Sequence, residues 1–227
     1  RVAWYAMLFV FFFLIIRLPP RSTLFPDTTL FRSAAATSSP GALVHIKTLT
    51  ASSSSTLSFV DGSDSVVLDN TYPIYKFEFI DIHPGTDAKK FQFQGNAAGG
   101  SGFNETMTTT TFGSGNHESN GFNVFGYEDS ADQGQGTSFQ NLTVNSSLGA
   151  DNDQSLSGFL HLFNPSSTTF VKHFICKTQY GSSSNYQIDD FTAGYFNTTS
   201  AIDEIQFKMS EGNIDAGQIR LYGIKDS

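Results

Sequence analysis

Five histidines, His45, His83, His117, His161 and His173, and one cysteine, Cys176, are the side chains of this sequence that could serve as a general base or a thiol nucleophile. None sits in a spacing that builds a known constellation. There is no Gly-x-Ser-x-Gly turn, no His-Glu-x-x-His helix and no phosphate-binding glycine loop. Cys176 alternates with Phe170, Lys172 and Phe174, which reads as a small hydrophobe facing a core rather than an exposed thiolate. A lone cysteine also excludes a disulfide framework and a cysteine-based zinc site. Hydrolysis of a glycoside needs two carboxylates across a cleft, and 21 acidic residues produce chance pairs too readily for any one to be informative. The chain is therefore expected to be no enzyme.

Binding chemistry has better candidates. The acidic turn Gly149-Ala-Asp151-Asn-Asp153-Gln154 gathers hard oxygen donors of the kind Ca²⁺ prefers, and Asp129 with Asp132 could reach in from another loop. Without the twelve-residue spacing of an EF-hand, the alternative is a solvated turn held by Asx-type hydrogen bonds, and beyond Ca²⁺ no cofactor is expected. Exposed aromatic rings suit the CH-rich faces of sugars, and Phe103, Phe122, Phe125, Tyr127 and Tyr180 lie in polar, loop-like contexts. The run Gly121 to Tyr127, GFNVFGY, concentrates them. The other reading of each ring is ordinary packing. Four Asn-x-Ser/Thr sequons, at Asn104, Asn141, Asn145 and Asn197, are what a chain with 28 Ser and 22 Thr generates by chance.

These residues need a scaffold, and the composition says which kind. The 227 residues are 39% hydrophobic and 14% aromatic but only 15% charged, the balance of a β-rich domain with a large core. A net charge of −8 repels a phosphate backbone, so nucleic acid is excluded as a general partner. Strict alternation marks Tyr75, Phe77, Phe79 and then Phe91, Phe93 as one face of successive strands, with Pro84-Gly85 turning between them. Further strands are expected at 44–49, 56–60, 66–68, 106–112, 121–127, 139–144, 156–163, 170–178, 186–196, 201–209 and 218–224. No window carries a helical period beyond a turn or two, and no repeat of propeller or solenoid length recurs.

A dozen short strands without crossover helices predict an all-β fold, a two-sheet antiparallel β-sandwich of jelly-roll-like type over residues 43–227. Phe77, Phe79, Phe91, Phe93, Leu160, Leu162, Phe174, Ile205, Phe207 and Leu221 are its expected core. The Gly/Ser/Asn-rich stretch from Gly95 to Gly136 reads as loops at one end of the sandwich, the place where such scaffolds bind. Gly212-Asn213 reads as a two-residue hairpin turn, with Ile214 restarting the strand. Asn164-Pro165 reads as a β-turn with proline second.

The first 33 residues stand apart. Val2 to Ile16 is an uncharged run of 15 residues, too short for the roughly 20 of a bilayer span, so no membrane partner is expected. Phe11 to Ser33, FFFLIIRLPPRSTLFPDTTLFRS, closely resembles the conceptual translation of a short-read sequencing adapter, which implies that residues 1–33 are no part of the natural protein. Residues 34–42 then read as a flexible linker. Without the first 33 the balance becomes 9 bases to 20 acids, a net charge of −11.

Four segments carry a second resemblance: YKFEFIDIHP (75–84), SLSGFLHLFNPSSTTFVKHF (155–174), AGYFNTTSAIDEIQFKMSEGNIDAG (193–217) and IRLYGIK (219–225). Together they resemble a family of small virion-associated proteins of tailed bacteriophages from marine metagenomes. That resemblance implies a β-sandwich structural protein of the phage particle, a head decoration, tail or fibre module located in the virion. Its partners would be other virion proteins, further copies of itself or a host-surface glycan. The other function class consistent with the residues is a carbohydrate-binding, lectin-like module of an extracellular protein.

Overall fold

The structure, a computed structural model, describes residues 41–226. The segment read as a translated adapter, and the linker up to residue 40, lie outside the described residues.

Thirteen strands and one turn of 3-10 helix make up the described chain. They are β1 (Leu43–Thr50), β2 (Leu57–Val60), β3 (Ile74–Pro84), β4 (Phe91–Ala97), β5 (Met107–His117), β6 (Asn123–Tyr127), β7 (Gly134–Gly136), β8 (Gln140–Asn141), β9 (Leu156–Phe163), β10 (Lys172–Gly181), β11 (Tyr186–Phe196), β12 (Ile202–Met209) and β13 (Ile214–Ile224). All pairings are antiparallel, in one sheet of nine strands ordered β1-β13-β3-β9-β10-β11-β5-β6, with β7 also on β5, and one of four ordered β2-β12-β4-β8. Gly41 and Ala42 extend the first ladder through hydrogen bonds of 2.7 and 3.1 Å with Lys225.

The connectivity is that of a jelly roll with an insertion. Setting β5, β6, β7, β10 and β11 aside leaves eight strands, of which first pairs with last (β1-β13), second with seventh (β2-β12), third with sixth (β3-β9) and fourth with fifth (β4-β8). This nested pairing splits the roll into two four-stranded sheets, the sandwich expected from the alternation. The five remaining strands continue the first sheet past β9, so the larger sheet overhangs the smaller.

The core lies between the two four-stranded halves, and every one of the ten predicted core residues is buried in it. Phe207 is the hub. Its ring meets Phe77, Phe79 and Phe91 at centroid distances of 5.3–5.8 Å, and Phe59 and Phe93 at 6.4 and 6.3 Å. Alternation produced this cluster, because period-2 spacing puts Phe77 and Phe79 on one face and Phe91 and Phe93 on the face opposite.

Under the overhang a different filling is needed, and it is polar. The irregular segment from Glu128 to Leu148 covers the inner faces of β5, β11 and β10. There, buried Gln140 accepts from Thr109 at 2.9 Å, and Thr178 donates to the Leu142 carbonyl at 2.5 Å. Two expectations change accordingly. The strands expected at 106–112 and 121–127 stand as β5 and β6, but residues 113–117 and 134–136, read as loops at a sandwich end, are strand as well, because inward-facing Gly113 and Gly115 need no apolar partner there. Val66 and Leu68, read as a strand, are buried plugs in a loop, where Leu68 N–H donates to the Asp61 carboxylate at 2.8 Å.

The turn at Gly212 also differs from the sequence reading. Gly212 has φ of 75°, as a glycine corner permits, but Asn213 does not, and the chain leaves β12 in the small sheet for β13 in the large one. It is a corner between sheets and not a hairpin. Asn164-Pro165 behaves as expected, with Ser167 N–H donating to the Asn164 carbonyl at 3.1 Å.

Candidate functional site

The overhanging strands expose one face of the large sheet to solvent, and register decides what stands on it. Phe112 pairs with Phe191 on one side and Tyr127 on the other, and Ser114 pairs with Asp189 and Phe125. Directly paired residues share a face, so these six side chains form one outer patch. Phe112 and Phe191 stack at 5.2 Å, and Phe125 is 83% exposed. Lys177 of β10 joins the patch through an ion pair with Asp189 at 3.3 Å, whose other carboxylate oxygen has no hydrogen-bond partner. Phe112, Ser114, Phe125, Lys177, Asp189 and Phe191 line a depression of about 300 Å³, at the lower end of small-ligand sites.

A second depression, of about 480 Å³, lies further along the same face, where Ala193 and Gly194 leave room between Phe163, His173 and Tyr195. Beside it His161 is packed between Phe159 and Phe163. Burial, reinforced by Lys76, holds the His161 imidazole below the ordinary histidine pKa, so it stands neutral.

The predicted sugar-stacking residues divide among four places. Phe125 and Tyr127 belong to the outer patch, and the Tyr127 hydroxyl donates to the Asp132 carboxylate. Phe122 lies in the β5-β6 turn against Tyr186, with ring centroids 6.4 Å apart, next to the His117–Tyr186 pair. Phe103 is half-buried in the β4-β5 connection near Phe139, at 6.4 Å. Tyr180, read as a loop residue, is buried in β10.

The acidic residues are not gathered either. Asp151 and Asp153 stand exposed in one turn, closed by Gln154 N–H donating to the Asp151 carbonyl at 2.9 Å. Asp129 and Asp132 flank the 3-10 turn, where Asp132 N–H donates to the Asp129 carbonyl at 3.2 Å. Among the described residues no group of three or more His, Cys, Asp or Glu side chains is placed to hold a metal ion. The acids expected to hold calcium thus lie in two separate turns, and of their carboxylates it is that of Asp132 that the Tyr127 hydroxyl reaches.

The charged centre that sequence reasoning missed is Asp190. It is buried on the inner face of β11, and its Oδ2 accepts from Val144 N–H at 2.6 Å, Asn145 N–H at 3.3 Å and the Tyr180 hydroxyl at 2.9 Å. Asn145 Nδ2 donates to its Oδ1. From the far side Lys90 Nζ donates to the Val144 and Ser146 carbonyls at 2.8 and 2.7 Å, clamping the same loop. Burial lowers the Lys90 pKa, and Asp190 partly restores it. Burial raises those of Tyr180 and Cys176, and the negative charge of Asp190 adds to both. Cys176 is consequently a neutral thiol sealed in the core. The signal available in sequence was Asp189-Asp190 inside an otherwise alternating strand, where one of two adjacent acids must face inward.

The histidines make structural contacts, His83 Nε2 reaching the Asp151 carbonyl at 3.4 Å. His45 bonds Thr48, and His117 Nδ1 accepts from both the Ser119 hydroxyl at 2.8 Å and the Ser119 N–H at 3.1 Å, an arrangement that closes a turn. No protein-family model, curated protein or solved structure matches the chain.

Proposed function

We propose that this protein is a non-enzymatic structural component of a tailed-bacteriophage particle and that the strands inserted into its jelly roll are its working surface. The observation that carries the reading is the location of exposed hydrophobic side chains. Among the described residues six large ones are exposed, and four of them, Phe112, Phe122, Phe125 and Tyr127, belong to the inserted strands and their turn. The nested pairing of the eight-stranded roll is complete without those strands; Phe174 and Phe196 of β10 and β11 pack inward on Phe93, but the exposed outer face of β5 and β6 adds nothing to that core. A patch of this kind marks a contact to another molecule. The resemblance of segments 75–84, 155–174, 193–217 and 219–225 to virion-associated proteins supplies the setting. Peptide mass spectrometry across a density gradient of purified particles tests it: the chain should co-migrate with the major capsid protein, and its confinement to the soluble fraction would end the proposal.

A carbohydrate-binding role is the second reading. The depression beside Phe125 favours it, because stacked rings there stand next to Ser114, Lys177 and the under-used carboxylate of Asp189. A glycan array with the wild type and Phe125→Ala separates the two. Binding lost in the variant supports the lectin reading, and no binding removes it.

A further inference from the structure

Strand β6 forms a free edge of the large sheet. The bonds closing the β5-β6 ladder, Glu128 N–H to the Thr111 carbonyl at 3.0 Å and His117 N–H to the Phe122 carbonyl at 3.0 Å, fix its alternation. Residues 122, 124, 126 and 128 therefore bond to β5, while Asn123, Phe125 and Tyr127 turn their N–H and C=O groups away from the sheet. These three residues are exposed, and nothing blunts the edge they form. The other sheet margins are managed in the usual ways. A register shift at His45/Lys47 breaks β1, and β2, β7 and β8 have only four, three and two residues. Strand β6 has five residues in unbroken register, with no proline and no charge.

We propose that two copies of this chain associate through β6, antiparallel about a two-fold axis at Phe125; this rests on reading the inserted strands as the working surface. In that register Phe125 lies opposite its twin and Asn123 lies opposite the twin's Tyr127. The three outward N–H groups and three outward C=O groups of each copy then meet in six hydrogen bonds. The side chains of directly opposed residues share a face, so both Phe125 rings and both Tyr127 rings gather on the outer surface of one continuous sheet. An aromatic side chain buries roughly 150–250 Å² when fully covered. Four rings therefore supply at most about 1,000 Å², just under the smallest stable specific interfaces at about 1,200 Å². The pair is accordingly weak in dilute solution and firm only where copies are held close together. An isologous contact of this kind closes at two, so it joins neighbours in pairs without growing into a fibre.

Cysteine crosslinking on the full-length chain tests the register. Opposed residues of a hydrogen-bonded antiparallel pair have Cα atoms about 5.5 Å apart, within disulfide range, whereas two copies of residue 123 would stand about 13 Å apart. Phe125→Cys should form a disulfide dimer on mild oxidation at about 0.1–1 mM chain, and Asn123→Cys should not; the native Cys176 is buried and silent. Equal crosslinking of both variants, or of neither, overturns the proposal. Sedimentation velocity over the same range provides the second arm. Phe125→Pro keeps the β5 ladder, which does not use that N–H, and should abolish a dimer that the wild type shows. A wild type that stays monomeric refutes self-pairing. If the wild type is monomeric but Phe125→Pro still weakens particle binding, the working-surface reading survives and only the partner assignment falls.

Discussion

Replacing Asp190 is the sharpest way to ask whether the inserted strands are held by the polar seam beneath them. Asp190→Ala removes the acceptor for Val144 N–H and Asn145 N–H, while the Tyr180 hydroxyl keeps the Ser146 carbonyl at 3.0 Å. Two part-buried backbone donors are then left without partners. Each costs about 1–3 kcal/mol, giving a loss of about 2–6 kcal/mol. Asp190→Asn keeps the shape and one acceptor but loses the charge that strengthens those bonds, so about 1.5–3 kcal/mol is expected. The adjacent Asp189→Asn breaks only a half-exposed pair with Lys177 and should cost less than about 1 kcal/mol. Urea unfolding of the three variants measures the order, and amide hydrogen exchange locates it. The Val144 and Asn145 amides should lose protection in Asp190→Ala while the Phe207 amide in β12 loses no more than the global change. Losses of similar size at Asp189 and Asp190, or unchanged protection at Val144, would refute the argument that Asp190 organises this loop.

Three other outcomes follow from the same coordinates. Phe207→Ala, at the hub of the aromatic cluster, should cost about 3–5 kcal/mol in urea unfolding, whereas Phe125→Ala should stay within about 0.5 kcal/mol. Gly113→Ala should destabilise markedly on a thermal melt, because its new methyl would collide with Asn145 Nδ2 and the Asp190 carboxylate. Alkaline pH should unfold the protein early. Burial raises Tyr75, Tyr180 and Cys176 above ordinary values of 10.0, 10.0 and 9.0, so the unfolded chain releases these protons first and stability falls as pH climbs past about 9. Lys90 and Lys172, both lowered from 10.5 by burial, work in the opposite sense and offset two of the three. Each group contributes at most about 1.4 kcal/mol per pH unit. A urea midpoint that is flat from about pH 9 to 11, or a Tyr180→Phe variant that declines as steeply as wild type, would contradict this.

Strands whose inner face is apolar were legible from the residues alone. β9 and β11 begin and end where the alternation places them, and the ten core residues follow from period-2 spacing. What stayed hidden depends on partners distant in sequence. The sequence reading ends the fifth strand at Phe112, because Gly113-Ser-Gly115 looks like a loop until β11 supplies Asp190 and Ile188 beside it. Tyr127 and Phe122 sit five residues apart and looked like one cluster. The ladder sends Tyr127 to the outer face, while Phe122 packs on Tyr186 at the sheet's end. The corner at Gly212 has the residues of a hairpin, and only the pairing of β12 with β2 and β4 reveals that the chain changes sheets.

The place of β13 between β1 and β3 constrains when the molecule can form. During synthesis β1 emerges first and has no neighbour to bond until residues 218–224 leave the ribosome, nearly the whole described chain later. The β1 end of the large sheet thus closes last, because β13 must enter between β1 and β3. Folding of this roll is governed by long loop closures, the slow regime for β topologies. Until β13 docks, the open edges of β1 and β3 are exposed to mispairing.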